Sequence, residues 1–201
     1  MTLFDDTMLF DEGRKKFTDF NLPDTELKMW EQFFSKTESD AFYKELLSTS
    51  PWIQRSRPMY DKMVLDPRLT AWYGKASTNK WTPTLLLIKS KVEAECGIIF
   101  NSVLLNYYRD GNDSVAWHSD TLPSSGKHHP IASVTFGETR IFKVRHKLDK
   151  SVPQLSIPLT HGSFLLMGQQ MQYHYEHHIP KTARKIGPRI NLTFRISDKD
   201  S

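Results

Sequence analysis

From residue 100 onward this 201-residue chain breaks into short alternating or wholly apolar stretches. They are Ser102 to Tyr108, Val115 to Trp117, Ile131 to Phe136, Arg140 to Arg145, Leu155 to Leu159, Ser163 to Met167, Tyr173 to His178 and Arg189 to Ile196. Alternation with period 2 belongs to strands that put one face inside and one outside. Helical signals lie before these stretches, and helices followed by about eight strands predict an α+β fold with a sandwich or barrel.

Two helices are punctuated. Thr37-Glu38-Ser39-Asp40 reads as an N-cap with an acidic first turn, leading into Ala41 to Leu47. Thr82 caps a second helix with Pro83 at its first position. Leu85, Ile88, Val92 and Cys96 share a face, and Gly97 ends the run. Cys96 is thus a core thiol. The first 35 residues mix charges with isolated aromatics and read as an N-terminal extension strapped across a domain of residues 36–201.

With 38% hydrophobic residues the chain can bury one sizeable core. Its single cysteine allows no intrachain disulfide and no thiolate zinc site, which fits a reducing compartment. No apolar run of about 18 residues appears, and the start Met1-Thr2-Leu3-Phe4-Asp5-Asp6 is acidic. Neither a membrane span nor a secretory signal is expected. An intracellular protein follows, cytoplasmic if bacterial or nuclear if eukaryotic. The net charge of +4 is compatible with a polyanionic partner.

The chemistry concentrates late in the chain. His118 and Asp120, in Trp117-His118-Ser119-Asp120, sit where a strand gives way to a loop. A later histidine completes a set of two imidazoles and one carboxylate, the facial arrangement that leaves iron three open positions. His174, His177 and His178 are all candidates for that third ligand. His128, His129, His146 and His161 have no second ligand at useful spacing and read as surface or loop residues. In the last strand Arg189, Asn191, Thr193 and Arg195 share one face, and Ile190, Leu192, Phe194 and Ile196 share the other. Asn106 and Tyr108 also point one way. An inward arginine pair needs anions to offset its burial, and a dicarboxylate meets that need through bidentate contacts. The cations of Arg140 to Lys147 and the cluster Lys181, Arg184 and Lys185 lie near aromatics able to stack on unpaired bases.

These residues resemble the AlkB family of Fe(II)/2-oxoglutarate-dependent nucleic-acid dealkylases. The likeness runs from Asp66 to Arg195 through Pro67 to Gly74, Phe100-Asn101-Ser102, Asn106 to Gly111, Pro130 to Gly137, His161-Gly162-Ser163 and Asn191 to Arg195. It implies a double-stranded β-helix, or jelly roll, buttressed by helices. It implies His118, Asp120 and His177 as iron ligands, with Asn106, Tyr108, Arg189 and Arg195 holding 2-oxoglutarate. The implied activity is oxidative demethylation of N1-methyladenine and N3-methylcytosine in DNA, extending to RNA, with O2 consumed and formaldehyde, succinate and CO2 released. The target base must be flipped or single-stranded. Arg68, Trp72, Tyr73, Arg140 and Lys143 are the expected nucleic-acid contacts of a monomeric enzyme with no membrane partner.

Two departures from the family pattern bear on base recognition. An acidic pair usually follows the metal-binding aspartate, whereas Thr121 and Leu122 stand here. After Tyr73-Gly74 the chain passes through Lys75 to Lys80 directly into the Thr82-capped helix, without a Tyr-rich lid segment. These features leave room for an alternative, an Fe(II)/2-oxoglutarate hydroxylase acting on a protein or small molecule. A non-catalytic jelly-roll module holding a structural metal is a third reading.

Overall fold

The computed structural model describes residues 16–59, 62–75, 77–120 and 128–197. In chain order its strands are β1 (Thr18–Asp19), β2 (Leu27–Trp30), β3 (Ser56–Met59), β4 (Lys62–Leu65), β5 (Leu69–Tyr73), β6 (Ser102–Tyr108), β7 (Val115–His118), β8 (Ile131–Gly137), β9 (Arg140–His146), β10 (Leu155–Leu159), β11 (Ser163–Met167), β12 (Tyr175–Ile179) and β13 (Arg189–Arg195). The helices are α1 (Lys36–Thr49), α2 (Pro83–Cys96) and α3 (Met171–His174).

A seven-stranded sheet, ordered β1-β2-β11-β8-β13-β6-β5, faces a four-stranded one, β10-β9-β12-β7, while β3 and β4 form a separate hairpin. All pairings are antiparallel. Two sheets of this kind, braced by helices, make the expected jelly roll.

Both long helices obey their caps. Around α2, the Thr82 hydroxyl accepts from Leu85 N, and Gly97 closes the helix at φ 70°, the left-handed region glycine adopts without strain. For α1 the cap is Ser35, two residues earlier than expected. Ser35 and Glu38 form a reciprocal capping box, which satisfies two otherwise orphaned N–H groups. Phe42 and Leu46 of α1, with Leu85, Ile88 and Val92 of α2, pack on Ile190, Leu192 and Phe194 of β13, so the apolar face of that strand turns to the helices. Cys96 lies half-buried beside this cluster.

A second cluster fills the space between the sheets. Leu165 and Met167 from the larger sheet meet Phe142, Val144 and Ile157 from the smaller one. The strand expected over Tyr173 to His178 instead begins at Tyr175, because Met171–His174 closes a single helical turn first. Within the expected N-terminal extension, β2 pairs with β11, which places Leu27–Trp30 inside the larger sheet. Among the described residues, no helix is long and apolar enough to cross a membrane.

Candidate metal and cosubstrate site

The site lies between the sheets, and each sheet brings a different chemistry. On the smaller sheet, His118 of β7 and His177 of β12 are direct register partners. Their rings are 4.4 Å apart. Asp120 follows β7 by two residues. One ligand atom from each of His118, Asp120 and His177 lies within 4.8 Å of the others, a spacing that fits a single metal ion. The Nδ1 of His118 lies 2.9 Å from the Ala116 carbonyl and must donate to it, which leaves the Nε2 lone pair free for a metal.

The larger sheet supplies anion-binding groups. Asn106 and Tyr108 on β6 pair with Asn191 and Arg189 on β13. Arg195, also on β13, reaches across the sandwich and donates to Asp120 Oδ1 at 2.8 Å. Arg189 is 1% exposed, and its Nη2 donates to Thr135 Oγ1 at 2.9 Å. Among the described residues its Nε and Nη1 have no hydrogen-bond partner. Burial pulls its pKa down to about 10, so it remains a cation at neutral pH. A buried guanidinium with two idle donors calls for an anionic ligand, and a carboxylate fits it.

Asp120 and His177 have the protonation states a metal requires. Burial disfavours the Asp120 carboxylate, but the charge of Arg195 and the nearby imidazoles outweigh it and hold the carboxyl far below its ordinary pKa. Burial lowers His177 to about 4, so it is neutral at pH 7. At His118 burial is overcome by the hydrogen bond and charge of Asp120, and its pKa rises.

The remaining histidines separate by position. His178 points the other way from His177 and stacks on Trp117, with centroids 3.9 Å apart. His174 joins His146 and Asp24 in a second group with ligand atoms within 4.8 Å. There, the Nδ1 of His146 accepts from Asp149 N at 2.7 Å, so Nε2 carries the proton and the ring is a poor metal donor. His161 bridges Gly137 N and Asp40 and ties α1 to the sheet.

Two expected nucleic-acid contacts are corrected by burial. Tyr73 is 2% exposed within the helix-facing core. Arg140 is 3% exposed and donates to the carbonyls of Asp110, Asp113 and Pro180. Period 2 carried the signal for Arg140, since it shares the inward parity of Phe142 and Val144 rather than that of Lys143 and Arg145. Arg68 turns toward the site, where its Nε donates to Asn106 Oδ1 at 2.9 Å. That contact orients the amide so that Nδ2 is left to donate. Trp72 stays half-buried beside a groove formed with Ile53, Arg55 and Asn79. Lys143 lies on the outer side of β9. Thr121 and Leu122 fall outside the described residues.

A jelly roll with two imidazoles, one carboxylate and a buried arginine between its sheets has the parts of a metal-dependent oxygenase. The 2OG-Fe(II) oxygenase superfamily matches residues 26–195. The alpha-ketoglutarate-dependent dioxygenase alkB homolog 3 of Bos taurus is 39% identical over 180 residues, covering 81% of this chain and 63% of that protein. The DNA oxidative demethylase ALKBH2 of Homo sapiens is 34% identical over 182 residues, covering 81% of this chain and 70% of that protein. The chain thus spans less than two thirds of the first relative's length. A solved structure, that of OsALKBH1, shares the fold with a TM-score of 0.63 at 15% identity, covering 84% of this chain and 97% of its own. The chain belongs to the 2OG-Fe(II) oxygenase superfamily, within its AlkB family. Fe(II), 2-oxoglutarate and O2 are the cofactor and cosubstrates of that superfamily.

Proposed function

We propose that this protein is an Fe(II)/2-oxoglutarate-dependent dioxygenase that removes N-methyl groups from adenine and cytosine in DNA, and from the same bases in RNA. The observation that carries the reading is the pairing of three metal-competent donors with a buried, under-bonded guanidinium, Arg189, whose neighbour Tyr108 lines the same inter-sheet cavity as the three donors. The named activity of the human relative, DNA oxidative demethylation, supports the substrate class.

His118, Asp120 and His177 would hold the iron, with His118 fixed in its tautomer by Ala116. Arg189 would take the far carboxylate of 2-oxoglutarate, with Tyr108 against its guanidinium at 5.1 Å. Asn106, oriented by Arg68, would donate to the cosubstrate, while Arg195 would lie near its metal-chelating end and keep Asp120 ionised. Iron with 2-oxoglutarate and dioxygen supplies oxidation of the N-methyl carbon, giving succinate, CO2 and a hydroxymethyl base that releases formaldehyde.

A metal held by these three residues would lie between two sheets, so the base would have to leave the stack to reach it. Of the five expected contacts, half-buried Trp72 and Lys143 on the outer side of β9 remain available to the strand, beside the exposed cations Lys181, Arg184 and Lys185. Purified protein with Fe(II), 2-oxoglutarate and an oligonucleotide carrying N1-methyladenine should release formaldehyde, and His118→Ala should abolish that release. Succinate formed without demethylation of DNA or RNA would move the reading to hydroxylation of a protein or small molecule.

A further inference from the structure

Asp120 has a problem that its strand does not solve. It lies two residues past the end of β7, so no ladder partner is at hand for its backbone N–H. A buried N–H without an acceptor is costly, and a metal-binding carboxylate on an unanchored residue would wander. The partner comes from far along the chain. Asp120 N donates to the side-chain Oε1 of Gln172 at 2.7 Å.

Gln172 is suited to this task by its surroundings. It sits in the single turn of α3 and is 4% exposed. Its Nε2 faces the Met167 sulfur at 3.7 Å, and the flipped amide would bring two donors together at Asp120 N. Its own carbonyl accepts from Lys147 Nζ at 2.8 Å. The preceding residue is pinned too, since Ser119 Oγ donates to the Tyr175 carbonyl at 2.8 Å. The segment that carries His177 therefore also grips the backbone of Asp120.

We infer that Gln172 is a positioning residue for the metal site: its amide oxygen fixes the Asp120 backbone so that the carboxylate faces His118 and His177. With Gln172 in place, the backbone of Asp120 is held by one bond and its carboxylate by Arg195. Loss of an outer partner of this kind typically weakens metal affinity by about 10–100-fold. The inference rests on the metal reading of His118, Asp120 and His177.

Co(II) titrated into the metal-free protein by calorimetry provides the test. Gln172→Met removes the acceptor at similar volume and is expected to weaken Co(II) binding by about 10–100-fold. Gln172→Glu restores an acceptor and should bind within a few-fold of the parent, a rescue that a purely packing role would not give. If Gln172→Met fails to fold, Gln172→Asn, whose oxygen falls short by one methylene, takes its place with the same expected loss. Met or Asn variants that bind Co(II) as tightly as the parent would overturn the inference, as would a Glu variant no better than Met. A parent protein that binds no Co(II) would instead overturn the metal reading itself.

Discussion

Replacing Arg189 by methionine tests the cosubstrate pocket without any assay of turnover. The guanidinium is buried, and two of its nitrogens lack hydrogen-bond partners among the described residues. A pKa lowered from 12.5 to about 10 corresponds to about 3 kcal/mol of folding free energy spent on keeping the charge, in full at every pH below about 10. Arg189→Met relieves that cost, but it strips Thr135 Oγ1 of its donor and leaves a small void, which together take back about 1–2 kcal/mol. The ligand-free variant should be about 1–2 kcal/mol more stable, raising Tm by about 2–8 °C for a chain of this size. With Mn(II) present, 2-oxoglutarate at about 100 times its Kd should stabilise the parent by about 2.7 kcal/mol and leave the variant unmoved. Thermal melts of both proteins, with and without 2-oxoglutarate, give all four values. A variant that melts several degrees below the parent and still responds to 2-oxoglutarate would refute the argument.

Four further outcomes follow from particular contacts. Glu38 of α1 pairs with Lys91 of α2, and that hydrogen bond chiefly lowers its carboxyl to about 2. A depressed folded pKa stabilises above the unfolded value and is lost as pH falls, so the Tm deficit of Glu38→Gln should be present at pH 7 and fade between about pH 4.5 and 2. Gly137 has φ 92°, and a Cβ there would lie 2.5 Å from the Pro188 carbonyl. Gly137→Ala should therefore cost at least about 2 kcal/mol in denaturant melts and displace the paired Arg189, weakening 2-oxoglutarate binding. Arg140→Ala deprives three carbonyls of a donor and should lower stability by about 2–4 kcal/mol, with the salt dependence of oligonucleotide binding unchanged in a fluorescence-anisotropy titration. Lys143→Ala should do the opposite, reducing the slope of log affinity against log salt by about 0.7–1 at little cost in stability.

The strand periodicity was legible because side-chain direction along an extended chain depends only on neighbouring residues. Arg189, Asn191, Thr193 and Arg195 were separable from Ile190, Leu192 and Phe194 on that basis alone, and Pro83 to Gly97 was readable from its caps. The strands β1 to β5 were not anticipated. Most are short and lack strong alternation, and β2 is a strand because β11 offers it a ladder.

What the sequence determined by itself was the local grammar and the donor set: two imidazoles and a carboxylate, and a strand with guanidinium groups on one face. Only the tertiary structure decided which donors meet. His177 faces His118 because β12 and β7 pair in that register, while its neighbour His178 is turned away onto Trp117. Arg140 and Tyr73 looked like surface contacts until packing buried them, and Gln172, 52 residues from Asp120, carried no sequence signal of its part. Parity sorts side chains into two faces. Which face lies inside, and what stands opposite, depends on contacts between residues far apart in the chain.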